Sequence, residues 1–129
     1  MPFMVVPANP VVHAEIPVTN MDRALRFYSG VLGLEFERRK VDGYDMAFAT
    51  RWAGATGASL ALACGDVYVP GKSGPILYLD VADIDAVLVR AEAAGGRILY
   101  PKTHAGEAGF IAEIEDSEGN RMGLSAEAG

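Results

Sequence analysis

Apolar and polar residues first alternate along this chain, then recur at helical spacing, then alternate again, and the whole succession is written twice. From Val11 to Val18 the residues Val12, Ala14, Ile16 and Val18 share one side of an extended strand, with Val11, His13, Glu15 and Pro17 on the other. The period then lengthens: Met21, Leu25, Tyr28 and Leu32 form a helical stripe that Ala24 and Val31 widen. Thr19 and Asn20 are suitable N-caps and Gly33 supplies the stop. Leu34 to Val41 and Tyr44 to Thr50 read as strands around an Asp42-Gly43 hairpin turn. In the second of them Tyr44, Met46 and Phe48 face away from Asp45, Ala47 and Ala49. A loop of small residues leads into a further strand, Ser59 to Cys64.

After the connector "VPGKSGP" the order returns. Ile76 to Val81 is a predicted strand, and Asp83 caps a helix that carries Ile84, Val87, Leu88 and Ala91 and ends at Gly95-Gly96. Strands follow over Arg97 to Thr103, Phe110 to Glu115 and, past the turn "DSEGN", Arg121 to Ser125. A shift of 63 positions lays Val18 on Val81, Asp22 on Asp85, Leu25 on Leu88 and Gly33 on Gly96. These matches fall at a strand end, in and after a helix start, and at a helix stop, which is where a duplicated unit keeps its signals. The expectation is an α+β fold of two tandem βαβββ modules forming a curved mixed sheet around a cleft. Module one runs over about 11–66, a linker over 67–74 and module two over about 75–125, all within a single domain spanning 1–129.

Length and charge narrow the function classes. The 129 residues suffice for one core. A net charge of -6 argues against a nucleic-acid surface, which needs clustered Lys and Arg. The basic run Arg38-Arg39-Lys40 sits beside Glu35 and Glu37 and reads as a solvated strand end. No apolar run reaches the ~20 residues of a membrane span. The start "MPFMVVPANP" lacks the basic region of a signal peptide. Cys64 is the single cysteine, which excludes an internal disulfide and suits a reducing cytoplasm. "PGKS" at Pro70 to Ser73 is no phosphate loop, because Asp66 stands where its first glycine belongs and a strand follows instead of a helix. There is no CxxC, HExxH or GxSxG, and "DSEGN" is too short for a calcium loop.

The βαβββ-βαβββ order, with "HAEIPVTNMDRALRFYSGVLGLEF" and "YLDVADIDAVLVRAEAAGG…EDSEGNRMGL", resembles the vicinal oxygen chelate superfamily over residues 11 to 125. That group includes glyoxalase I, bleomycin-resistance proteins, extradiol dioxygenases and fosfomycin-resistance enzymes, and the likeness is strongest to small bacterial proteins related to lactoylglutathione lyase. The resemblance implies a divalent metal held by His, Gln or Glu from the first and last strand of each module. Those positions fall on His13, Ala61, Ile76 and Gly123, so His13 is the one retained candidate ligand. One imidazole holds a divalent cation weakly, catalytic sites having about three protein ligands. No metal or other cofactor is therefore expected, and glyoxalase I activity is the least supported enzymatic reading.

The sequence holds other donors besides that position. A rearranged site from His13, Glu15 and Glu113 requires Glu113 to point inward; the preferred reading puts Glu113 and Glu115 on a solvated face, with Ile111, Ala112 and Ile114 feeding the core. His104 and Glu107 lie in or beside the preceding loop. His13 and Glu15, two apart on one strand face, are the candidate catalytic pair for proton transfer or for anchoring a polar ligand. Candidate ligand-binding residues are Met46, Phe48, Trp52, Ala61, Tyr78, Tyr100 and Gly123, the aromatics as walls and the small residues as sources of volume. Arg51 and Lys102 read mainly as surface residues.

Three function classes remain: a metal-independent small-molecule binder, which is preferred; a lyase, isomerase or dioxygenase-like enzyme using His13 and Glu15 or a rearranged metal site; and a module whose cavity has lost its ligand and which serves in assembly or regulation. The resemblance also implies a homodimer. A small-molecule ligand is expected, with neither nucleic acid nor membrane as partner.

Overall fold

The computed structural model describes residues 9–127 apart from Trp52. In chain order the elements are β1 (His13–Val18), α1 (Met21–Leu32), β2 (Phe36–Val41), β3 (Tyr44–Ala49), β4 (Ser59–Cys64), β5 (Tyr78–Asp80), α2 (Ile84–Ala93), β6 (Arg97–His104), β7 (Phe110–Glu115) and β8 (Arg121–Ala126). They form two mixed sheets of four strands, ordered β1-β4-β3-β2 and β5-β8-β7-β6. In each, the first strand runs parallel to the last while the other pairs are antiparallel. The predicted βαβββ duplication is thus present.

The local signals of the two halves operate alike. Asn20 caps α1 by accepting from the backbone N–H of Arg23, and Asp83 caps α2 by accepting from that of Ala86. Thr19 is not a cap. Gly33 ends α1 at φ +69°, a left-handed conformation that costs glycine little, and Gly95 takes φ +91° after α2. The left-handed glycine thus comes 62 positions after its counterpart, and the repeat offset drops from 63 to 62 beyond the second helix, which has 10 residues against 12 in the first. The regular part of β5 is shorter than the predicted Ile76–Val81; hydrogen bonds from Gly123 N–H to Leu77 and from Val81 N–H to Ser125 extend its pairing one residue each way, which leaves Ile76 outside.

One apolar core joins the modules. α1 buries Met21, Ala24, Phe27, Tyr28 and Val31, so Phe27 takes a core place where the periodicity pointed to Leu25 and Leu32, which are half-buried. α2 adds Ile84, Val87, Leu88 and Ala91, and the sheets add Ile16, Val18, Leu62, Ile114 and Leu124. Each strand turns alternate residues into this core and leaves the others on an opposite face. On those outward faces lie His13, Glu15, Ser59 and Ala61 in the first sheet, and Tyr78, Glu113, Arg121 and Gly123 in the second.

Polar ties also cross between modules at the turn before β8. Tyr28 Oη donates to the buried Asp116 at 2.6 Å, and Asn120 Nδ2 donates to the Pro17 carbonyl at 2.8 Å. Glu118 accepts from the backbone N–H groups of Thr19 and Asn20, both at 2.9 Å, and from Arg23 Nε at 2.7 Å. Burial alone would raise the Glu118 pKa, but the donors Arg23, Asn20, Thr19 and Ser117 outweigh it and hold the carboxyl at about 2.

Candidate functional site

The parallel pairing of β1 with β4 sets His13 beside Ser59 and Glu15 beside Ala61. Because Ile16 and Val18 turn into the core, His13 and Glu15, on the other side of the strand, must emerge together on the outer face. The imidazole is held at both nitrogens: Nδ1 lies 2.6 Å from Ser59 Oγ and Nε2 3.2 Å from Glu15 Oε2. The Phe48 ring stacks near it, with centroids 6.2 Å apart, and the Arg39 guanidinium covers Phe48 at 4.1 Å. The side chains of His13 and Glu15 keep 32% and 35% of their surface exposed, so the pair is reachable. Desolvation, followed by the charge of Glu15, raises the pKa of the nearby Tyr68 phenol.

Beside this pair a cleft of about 590 Å³ opens between the sheets. Its walls include Val11, Val69, Leu77 and Met122, with His13, Glu15 and Arg121 as charged or polar points. An apolar cleft with few convergent polar groups is the usual form of a small-molecule site.

The second sheet carries a different cluster. Tyr78 Oη donates to Glu113 Oε2 at 3.0 Å, and Arg121 Nε approaches Glu113 Oε1 at 3.4 Å. Desolvation and then the bond to Glu113 raise the Tyr78 pKa. Tyr100 pairs in register with Glu113, and Tyr78 and Tyr100 stay 46% and 43% exposed. Glu113 and Glu115 therefore do not form a solvated face: their side chains are 15% and 19% exposed, beneath Tyr78 and Arg121 in one case and Arg97 and Lys72 in the other. Arg97 and Lys72 also lower the Glu115 pKa. Ile111 shares this outward face, and the core side of β7 consists of Ala112, Ile114 and Phe110.

The residues singled out in the sequence thus separate. His13 and Glu15 meet at the cleft, and Phe48 stands beside them. Met46 and Ala61 are buried in a small cluster with Ala63, against Tyr44, Phe48 and Tyr68, and do not line the cleft. Tyr78, Tyr100 and Gly123 belong to the second face. Gly123 leaves no open volume, because the Tyr78 ring lies across the place a Cβ would take. Trp52 lies outside the described residues. Lys102 is bonded to Asp85 at 2.9 Å, Arg51 to the carbonyls of Ala55 and Gly57, and His104 packs edge-on to Phe110. Ser59 was not singled out in the sequence; the βαβββ order implies the parallel β1–β4 pair that seats it opposite His13, so the signal was present.

The metal that the family resemblance implies does not fit these residues. Ala61 and Gly123 offer no donor, Tyr78 fills the space at Gly123, and its hydroxyl is bonded to Glu113. Among the described residues no three His, Cys, Asp or Glu side chains converge as a ligand set.

Comparisons with known proteins accord with this architecture. The profile of the Glyoxalase/Bleomycin resistance protein/Dioxygenase superfamily matches residues 11–124. A lactoylglutathione lyase of Haemophilus influenzae is 27% identical over 119 residues, 87% of this chain and 88% of that protein. The candidate glyoxylase CFP32 of Mycobacterium bovis is 29% identical over 116 residues; the match takes in 85% of this chain but spans 42% of that relative's length. Among solved structures, the antibiotic binding protein TnmS3 from Streptomyces sp. CB03234 superposes with a TM-score of 0.70 at 23% identity, covering 96% of this chain and 98% of that one.

Proposed function

This chain belongs to the Glyoxalase/Bleomycin resistance protein/Dioxygenase superfamily, and from that premise we propose that it binds a small organic molecule in the cleft beside His13 and Glu15, without the four-ligand metal site. The observation that carries this reading is the approximately 590 Å³ cleft, apolar along Val11, Val69 and Leu77 and polar at His13, Glu15 and Arg121. Two of the positions where the family resemblance implies metal ligands are Ala61 and a Gly123 covered by an aromatic ring, neither with a side-chain donor, which supports a metal-free reading. The antibiotic-binding neighbour offers a precedent for a binding role on this scaffold. The protein acts as a homodimer in the cytoplasm under this reading, with Tyr78 and Tyr100 on a face that a second copy covers.

A second reading keeps the same cleft and makes the protein an enzyme of the lyase or isomerase kind, with His13 and Glu15 moving a proton. The 3.2 Å contact between them supports it. A thermal-shift screen of aromatic antibiotics and α-keto acids separates the readings from an assembly role. A ligand at about 100 times its dissociation constant should add ~2.7 kcal/mol of stability. No shift with any compound would argue for assembly. Metal content of protein purified without chelator completes the test: stoichiometric nickel, zinc or iron lost on His13→Ala would overturn the metal-free reading.

A further inference from the structure

We propose that Ser59, His13 and Glu15 form a nucleophile relay in which Ser59 Oγ, which borders the cleft through His13 without lining it, attacks activated acyl esters bound against His13 and Glu15. This rests on the reading that the cleft admits a small organic molecule, and it assigns that molecule a chemical class. Three contacts in series carry it. Ser59 Oγ is 2.6 Å from His13 Nδ1, the opposite ring nitrogen is 3.2 Å from a Glu15 carboxylate oxygen, and the two strands hold Ser59 and His13 as register partners. With the imidazole proton on Nε2, toward Glu15, Nδ1 is an acceptor and the Ser59 hydroxyl donates to it. The alternative acceptor of that hydroxyl, the Val12 carbonyl, is farther away at 3.3 Å. A nucleophile bonded to a base that a third group orients is the general form of an activated serine.

Ser59 is half-buried at the start of β4, while His13 and Glu15 are a third exposed, so the relay is open to a substrate on its outer side. The Phe48 ring beside the imidazole and the Arg39 guanidinium above that ring limit its freedom to turn. In the reaction the Ser59 proton passes to His13 Nδ1 as the bond from Oγ to the acyl carbon forms. The ester C–O bond then breaks and the leaving phenol or enol takes that proton, which returns His13 to its neutral form. Water next attacks the acyl-serine and gives a proton to His13, and His13 passes it to Ser59 Oγ as the acyl C–O bond breaks and a carboxylic acid leaves. An activated ester suits the site because its leaving group departs without a separate acid. Glu15 is a positioning residue that holds the imidazole in the tautomer the step needs.

The full chain treated with a fluorophosphonate probe should gain the phosphonyl mass on the peptide that holds Ser59, and 4-nitrophenyl acetate should give a burst followed by turnover. Ser59→Ala should abolish both, and His13→Ala should slow both by ~10²-fold or more, the low end of what a general base contributes. Glu15→Ala should lose rate and Glu15→Gln, which still accepts from Nε2, should regain part of it, whereas a merely structural Glu15 would alter stability alone. Ser59→Cys should be alkylated by iodoacetamide faster than Ser59→Cys combined with His13→Ala, a readout that survives if Ser59→Ala folds poorly. An unlabelled Ser59 overturns the proposal. So does Ser59→Ala that keeps the ester rate while His13→Ala loses it, since the imidazole would then be the nucleophile. A ligand-induced thermal shift without any Ser59 adduct would sink the relay and leave the binding reading intact; an adduct without any ligand shift would do the reverse.

Discussion

The ring of Tyr78 lies over Gly123, its neighbour in the parallel β5–β8 pair, and occupies the volume that any side chain at Gly123 would need. The ring is fixed there by the bond from its hydroxyl to Glu113. Gly123→Ala should therefore destabilise the fold by about 1–3 kcal/mol, the ordinary range for overpacking. Combining it with Tyr78→Ala should cost less than the sum of the two single changes, because the second removes what the first collides with. Urea unfolding of the four proteins in the cycle measures this; strict additivity would mean that the ring moves aside freely.

Glu118 predicts an acid-sensitive joint. Its side chain is fully buried, and it links the turn before β8 to the start of α1 through Thr19, Asn20 and Arg23. Its folded pKa, about 2, lies below the ordinary carboxylate value of 4.5, so it stabilises the fold above the latter and that stability is lost as the pH falls from one toward the other. A shift of this size corresponds to roughly 3 kcal/mol. Glu118→Gln should lower stability by up to about that amount at pH 7 and should lose less than the wild type between pH 4.5 and 2. Urea midpoints across that range decide it, and parallel pH curves for the two proteins would remove the joint.

The sequence disclosed what is local and obscured what depends on partners. Caps at Asn20 and Asp83 and the stop at Gly33 follow from single residues and their neighbours, so the duplicated order was legible. The face of β7 was not, because Ile111 lies on the Glu113 side and Ala112 and Ile114 on the other, and apolar residues on both sides blur the alternation. Gly123 looked like spare volume because a cross-strand neighbour, absent from any one-strand pattern, fills it. His13 and Glu15 were visible as a pair two residues apart; Ser59 became their companion only once β1 and β4 were set in register.

Asp116 makes a second inter-module prediction. It is 2% exposed and accepts from Tyr28 Oη, from the backbone N–H groups of Glu118 and Asn120, and from Asn120 Nδ2. Tyr28→Phe removes the 2.6 Å bond and leaves a buried carboxylate short of one donor. A hydrogen bond to a charged group is worth about 1.5–3 kcal/mol, so thermal or urea unfolding should show a loss of that order. A loss below about 0.5 kcal/mol, the range of ordinary surface changes, would show that the remaining donors satisfy Asp116 by themselves.

Tyr100 tests the proposed dimer. It stands 43% exposed beside Tyr78 and opposite Glu113 on the outward face of the second sheet, away from the shared core. An aromatic ring so placed contributes little to the monomer and much to a partner that buries it, since aromatic anchors dominate interface energetics. Tyr100→Lys should leave monomer stability within about 0.5 kcal/mol, as for other surface changes. It should also weaken self-association by about tenfold or more, the effect of losing ~1.4 kcal/mol at an interface. Sedimentation equilibrium of both proteins reads the second effect and urea unfolding the first. A wild type that is monomeric at high concentration ends the dimer proposal, and an unchanged association constant moves the interface to another face.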